Sequence, residues 1–189
     1  MKASGVDKYG PIENFCEKEL PKPSDLSPRD LLDQGFSVNP VDTKVRNGTY
    51  DDYPAYEALV ERLEITRGEK AALLIINGAG GVGAVASQIA RTVLDLPYVI
   101  TTASRPETTE FTKQMGATHV VNHRDDIPAQ IAKLDLDVPL KYIFITSSTD
   151  QYMSTCGKLC APFGKLGSIV QGQANMYGTD FMFKSMSFI

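Results

Sequence analysis

The strongest chemical signal in the sequence is a turn of six residues, Gly78-Ala79-Gly80-Gly81-Val82-Gly83. The spacing G-x-G-x-x-G suits the pyrophosphate of a dinucleotide, and each glycine has its own task. Gly78 permits a tight turn out of a strand. Gly80 has no side chain to keep a phosphate from the backbone. Gly83 lets the following helix lie close to that strand. The helix start then offers free N–H groups and a partial positive charge to the anion. The competing reading is a glycine turn with no ligand. The flanks favour the ligand, because an apolar run precedes the turn and an amphipathic pattern follows it.

The nature of the dinucleotide is read further on. A site for NAD usually places an acid about 20 residues past the turn, bonded to the ribose 2′-hydroxyl. Here the phrase is Thr101-Thr102-Ala103-Ser104-Arg105, without an acid. Arg105 suits a 2′-phosphate, and Ser104 can donate a hydrogen bond to it. The expected cofactor is therefore NADP(H). The alternative is that Arg105 is a solvated charge beside Glu107. Other chemistry-bearing residues read as structural. His119 and His123 share a face only if one strand contains both, so a strand flank and loop outweighs a metal pair. Cys156 and Cys160 stand one helical turn apart and read as buried thiols rather than a zinc or redox pair. Asp51-Asp52 reads as a solvated loop, and Met153, Met176, Met182 and Met186 as core filler.

These residues need a scaffold of alternating strands and helices. Ala71 to Ile76 is a continuous apolar run, as in a strand buried on both faces. Val82, Val85, Ala86, Ile89, Ala90 and Val93 follow with helical spacing. Further strands are expected at Tyr98 to Thr102, His119 to Val121, Tyr142 to Thr146 and Ser168 to Val170. Met182 to Ile189 is expected to begin a sixth. Helices are expected around Tyr56 to Leu63, from Pro106 to before Gly116, at Asp125 to Leu134, and at Gln151 to Cys160. Such alternation predicts an α/β fold, a doubly wound parallel sheet of the Rossmann type, over residues 55–189. Residues 1–54 differ. They hold six of the eleven prolines and little apolar material, with short strands expected only near Leu31-Leu32 and Phe36-Ser37-Val38.

Composition removes several function classes. A net charge of −4 argues against a nucleic-acid surface. No stretch approaches the ~20 apolar residues of a membrane helix. Met1 to Gly10 carries no secretory pattern, and three cysteines make no disulfide framework, so a cytoplasmic location is expected.

Longer phrases carry a family resemblance. Ile75-Ile76-Asn77 with the glycine turn, then Ser87-Gln88-Ile89-Ala90, resembles the medium-chain dehydrogenase/reductase superfamily. Thr102 to Thr108, Met115 to His123, and Ser37 to Gly48 resemble its quinone oxidoreductase branch of zinc-type alcohol dehydrogenase-like proteins. The resemblance implies that Gly78, Gly80, Gly81, Val82 and Gly83 meet the pyrophosphate, while Ser104 and Arg105 hold the 2′-phosphate. It places Thr146, Ser147, Ile169-Val170 and Phe163 to Gly167 toward the nicotinamide, and Asn39 at the substrate pocket. It implies hydride transfer from NADPH to a small quinone or an activated carbonyl or alkene. No metal site is expected, since Asn39-Pro40-Val41-Asp42 stands where zinc enzymes carry a ligand cysteine. It also implies a homodimer through the edge strand at 182–189.

The sequence departs from that pattern at three places. Tyr53-Pro54 runs directly into Ala55-Tyr56-Glu57-Ala58-Leu59, phrases that a GroES-like barrel separates in the family. The segment Leu32 to Phe36 is short, and the chain stops at Ile189, inside the last expected strand. Residues 1–54 therefore read as an incomplete GroES-like β segment. Three outcomes follow: an active reductase, a remnant that binds NADP(H) without turnover, or a partner-binding fragment.

Overall fold

The computed structural model describes residues 2–6, 15–19, 54–174, 176 and 178–189. The chain divides into two compact units, Met1–Asp52 and Tyr53–Ile189. In the first, β1 (Lys2–Val6) pairs antiparallel with β2 (Phe15–Glu19), Lys2 opposite Glu19 and Val6 opposite Phe15. Neither strand was expected. Five-residue runs such as Lys-Ala-Ser-Gly-Val carry little periodic signal, and the hairpin comes from the partner's register. The strands expected near Leu31 and Phe36 lie outside the described residues, as does the Asp51-Asp52 pair.

The second unit is a six-stranded parallel sheet flanked by helices. Helix α1 (Pro54–Tyr56) continues as a π-helical stretch, Glu57–Arg62. Then come β3 (Ala72–Ile76), α2 (Gly81–Gln88) with a π-helical extension Ile89–Val93, β4 (Tyr98–Thr102) and α3 (Pro106–Gln114). They are followed by β5 (His119–Val121), α4 (Ile127–Ala132), β6 (Leu140–Ile145) and α5 (Thr149–Leu159). The last elements are β7 (Lys165–Ser168), α6 (Asp180–Phe183) and β8 (Ser187–Phe188).

The strands lie in the order β5-β4-β3-β6-β7-β8. The chain winds outward from β3 to β5, returns to the other side of β3, and winds outward again to β8. The direction of winding reverses between β3 and β6, and in open α/β sheets ligands bind outside the carboxyl ends of strands at such a point. Every residue of β3 is at most 1 % exposed, so the apolar run is a central strand covered on both faces. Leu73, Ile75, Val99 and Phe144 meet Leu59 and Leu63 of the first helical segment and Ala86 and Ala90 of the second. Leu74, Ile76, Ile100 and Ile143 meet Ile127, Ile131, Tyr152, Met153 and Phe181 on the opposite face.

Several expectations shift. The stripe on α2 is narrower than its periodicity suggests, because Val85 and Val93 are exposed while Ala86 and Ala90 are buried. Met182 is also exposed rather than core. The strand expected at 168–170 lies earlier, at Lys165–Ser168, where Tyr142 to Ile145 of β6 supply its register. The expected sixth strand starts later, because Met182 and Phe183 end helix α6 and the strand begins at Ser187. Phe181 turns into the core from α6, and Ser187 and Phe188 pair with β7, with Ile189 continuing the backbone bonds to Leu166 and Ser168. Lys184, just past α6, donates to the carbonyls of Gly157, Lys158 and Cys160, closing the end of α5.

Candidate functional site

The glycine turn begins one residue before its first glycine. Asn77 adopts a left-handed backbone (φ 65°), which asparagine tolerates better than most residues. Its N–H donates to Thr102 Oγ1 at 2.8 Å, tying the end of β3 to the end of β4. Gly80 is extended and α2 starts at Gly81, so the first turn presents N–H groups without intrahelical acceptors. A Cβ on Gly78 would lie 2.4 Å from Thr101 Cβ, and one on Gly83 2.4 Å from the Asn77 carbonyl oxygen. A Cβ on Gly80 would press on the Asn77 side-chain amide at 2.8 Å. The turn thus has the close approaches a pyrophosphate cradle needs, and the residues present fit that group.

Ser104 and Arg105 follow β4 at the same sheet edge. Ser104 is half-buried and Arg105 exposed, with no acidic partner among the described residues. They line a recess of about 320 Å³ whose other wall is Val120, Asn122 and Gln130. The Gln130 amide bonds both the N–H and the C=O of Asn122, at 2.8 and 2.9 Å, and so fixes that wall. Beyond β6, Thr146 spends its hydroxyl inward on the Ile76 carbonyl at 2.8 Å, so its side chain secures β6 to β3. Ser147 follows it, half-buried. Ile169 runs beside it, its N–H on the Ile145 carbonyl at 3.3 Å. Glycine turn, Ser104-Arg105, Thr146-Ser147 and Ile169 therefore share the carboxyl edge of the sheet.

Two groups of predicted residues stand elsewhere. Asn39 lies outside the described residues. Phe163 and Gly164 precede β7, which runs parallel to β6, so they sit at the amino edge of the sheet, away from the glycine turn. Phe163 is 74 % exposed there. The resemblance set Phe163 to Gly167 toward the nicotinamide, whereas this stretch leads into β7 from its amino end. Sequence reasoning also missed Asn77, although asparagine directly before a glycine turn is a signal for a left-handed residue. Thr101 carries no such signal. It is wholly buried under Gly78, and its Oγ1 is the one buried side-chain polar atom without a partner among the described residues.

The thiols and imidazoles stay structural. Cys156 and Cys160 are buried, and burial pushes their thiols up to about 12 and about 11. Strand β5 ends at Val121, so His119 and His123 do not share it, and the His119 ring lies against Tyr98 at 5.7 Å. Among the described residues no three His, Cys, Asp or Glu side chains are grouped to hold a metal. None of the described helices is long and apolar enough to cross a membrane.

The fold and its glycine turn define the nucleotide-binding half of a medium-chain dehydrogenase/reductase. The model of the zinc-binding dehydrogenase family matches residues 81–189, and the chain belongs to that oxidoreductase family. A zinc-type alcohol dehydrogenase-like protein of Staphylococcus aureus (strain COL) is 41 % identical over 141 residues, 71 % of this chain and 40 % of its own length. One from Schizosaccharomyces pombe is 30 % identical over 112 residues, 58 % of this chain and 30 % of its own. The chain spans about 40 % of the length of the first of these relatives. A solved zinc-dependent alcohol dehydrogenase protein from Rhizobium etli CFN 42 matches all of this chain and 77 % of its own, at TM-score 0.69 and 29 % identity. An alcohol dehydrogenase from E. coli CFT073, complexed with NADH, shares the fold at TM-score 0.58 and 17 % identity, over 69 % of this chain and 38 % of its own.

Proposed function

We propose that the chain binds NADP(H) along the carboxyl edge of its parallel sheet. The pyrophosphate rests on the first turn of α2, against Gly80, Gly81, Val82 and Gly83. The 2′-phosphate is held by Arg105 and Ser104. The nicotinamide extends toward Thr146, Ser147 and Ile169. The observation that carries this is the position of Arg105. It stands at the end of β4 with no acidic partner among the described residues, beside a recess, where an NAD site would place an acid.

The activity proposed is hydride transfer from NADPH to a small quinone, activated carbonyl or alkene, without zinc. Polarisation of the acceptor then rests on hydrogen-bond donors and positioning. Fluorescence titration tests the cofactor. NADPH is expected to bind about tenfold or more tightly than NADH, the worth of one charge-assisted contact. Equal or tighter NADH binding refutes the reading, and Arg105→Asp should weaken NADPH selectively.

A second reading is cofactor binding without turnover. It is favoured by the Pro54–Ala55 junction, where the phrases that would form the barrel wall are missing, since an open nicotinamide loses the exclusion of water that favours hydride transfer. Robust NADPH-dependent reduction of a small quinone by the 189-residue chain rules this out. Self-association through the outer edge of β8, which pairs with no strand among the described residues, is also proposed, and sedimentation reads it directly.

A further inference from the structure

Past β7 the chain follows the carboxyl end of β6, and two residues from the first turn of α5 hold it there. Thr149, 3 % exposed, donates its hydroxyl proton to the Val170 carbonyl at 2.7 Å. The Thr149 and Ser168 hydroxyls also share a hydrogen bond at 2.7 Å, and Ser168 Oγ accepts the Val170 N–H at 3.3 Å and stands 3.2 Å from the Val170 carbonyl. Asp150 then takes the Gln173 N–H on its carboxylate. A Cβ on Gly172 would lie 2.5 Å from Asp150 Oδ1 and 2.9 Å from Thr149 Cβ, so the backbone passes directly over both side chains. An acid in the first turn of a helix ordinarily serves that helix's own N–H groups. Here Asp150 reaches across to another segment.

We infer that Thr149 and Asp150 are positioning residues for the nicotinamide half of the site. They hold residues 168–173 as a wall beside β6, with Ile169 on the face where the nicotinamide would lie. The inference rests on the dinucleotide reading above. Neither residue is among those assigned to the cofactor. Their effect is to order the wall before the ligand arrives, so that binding does not bear that entropy cost. The adenosine end, at Ser104 and Arg105, lies across the sheet beyond β3 and is independent of them.

The test uses the 189-residue chain, its Thr149→Val and Asp150→Ala variants, and two ligands. NADPH spans the whole site, and adenosine 2′,5′-bisphosphate fills only the adenosine end. Each variant is expected to bind NADPH about tenfold more weakly, the loss of one good hydrogen bond to a charged or buried group. Affinity for the bisphosphate should not change. Asp150→Asn keeps an acceptor oxygen and should recover most of the loss. Unchanged NADPH affinity in both variants overturns the inference. Equal weakening of both ligands overturns it as well, because that marks a general loss of structure. A parent chain that binds neither ligand refutes the dinucleotide reading itself and the inference with it.

Discussion

Replacing Gly83 with alanine tests whether α2 packs as closely on β3 as the geometry requires. The added methyl would stand 2.4 Å from the Asn77 carbonyl oxygen, 2.8 Å from Gly78 Cα and 3.1 Å from the Asn77 carbonyl carbon. Ordinary contact begins near 3.4 Å, so the helix must retreat by about 1 Å. All three neighbours are backbone atoms and no rotamer can absorb the strain. The upper end of the overpacking range applies, about 3 kcal/mol. Alanine returns about 1 kcal/mol of helix propensity. The net loss is about 2 kcal/mol, or a fall in Tm of roughly 4–8 °C. The same 1 Å retreat moves the N–H groups proposed to meet the pyrophosphate, so NADPH affinity should drop about tenfold or more. Urea denaturation followed by circular dichroism, with an NADPH titration beside it, measures both effects. Gly68→Ala is the control. Gly68 has φ +75° with nothing within 4 Å of its missing Cβ, so only the left-handed backbone is strained. Its cost is about 1 kcal/mol, with no change in affinity. A Gly83→Ala protein as stable as its parent, and as tight for NADPH, would refute the close packing and the role drawn from it.

Three further outcomes follow from named contacts. Lys184→Met leaves three carbonyls at the end of α5 without their donor and should cost about 1–2 kcal/mol in urea unfolding, against little for Lys158→Met, whose side chain is exposed. The Glu69 carboxyl is pushed up by burial, but hydrogen bonds from Lys141 and Tyr142 outweigh this and hold it below its ordinary value. A depressed carboxylate contributes stability above its unfolded pKa of about 4.3, and that contribution disappears as pH falls through the lower folded value. The stability gap between parent and Glu69→Gln should therefore narrow as the pH falls below about 5, and a gap that is constant with pH would refute the assignment. Finally, thiols held at about 12 and about 11 leave almost no thiolate near neutrality. Peptide mapping after brief iodoacetamide treatment should find Cys156 and Cys160 unmodified in the folded chain and alkylated in urea. Rapid labelling of either in the native state would contradict their burial.

What the sequence by itself determined was local. The Ala71–Ile76 run, the glycine turn and the stretch from Pro106 to Gly116 each signal their element within a dozen residues, and each stands within a residue or two of its expected place. Hydrophobic period and backbone preference act over that range, so strand, turn and helix were legible, and with them the parallel sheet. The positions of the glycine turn and of Ser104-Arg105 at the sheet edge could be read the same way, because they follow directly from where a strand ends. The tertiary structure decided everything that depends on register. Strand β7 starts at Lys165 because β6 pairs with it there, which carries Phe163 to the opposite edge of the sheet from the turn. The hydroxyl of Thr146 points at the Ile76 carbonyl, 70 positions away in the chain, and no local pattern records that. Thr149 and Asp150 lie before the helix start expected at Gln151, and only the fold lays residues 170–173 across them. Side-chain direction and cross-strand pairing arise from partners distant in sequence, and only the packed sheet brings those partners together.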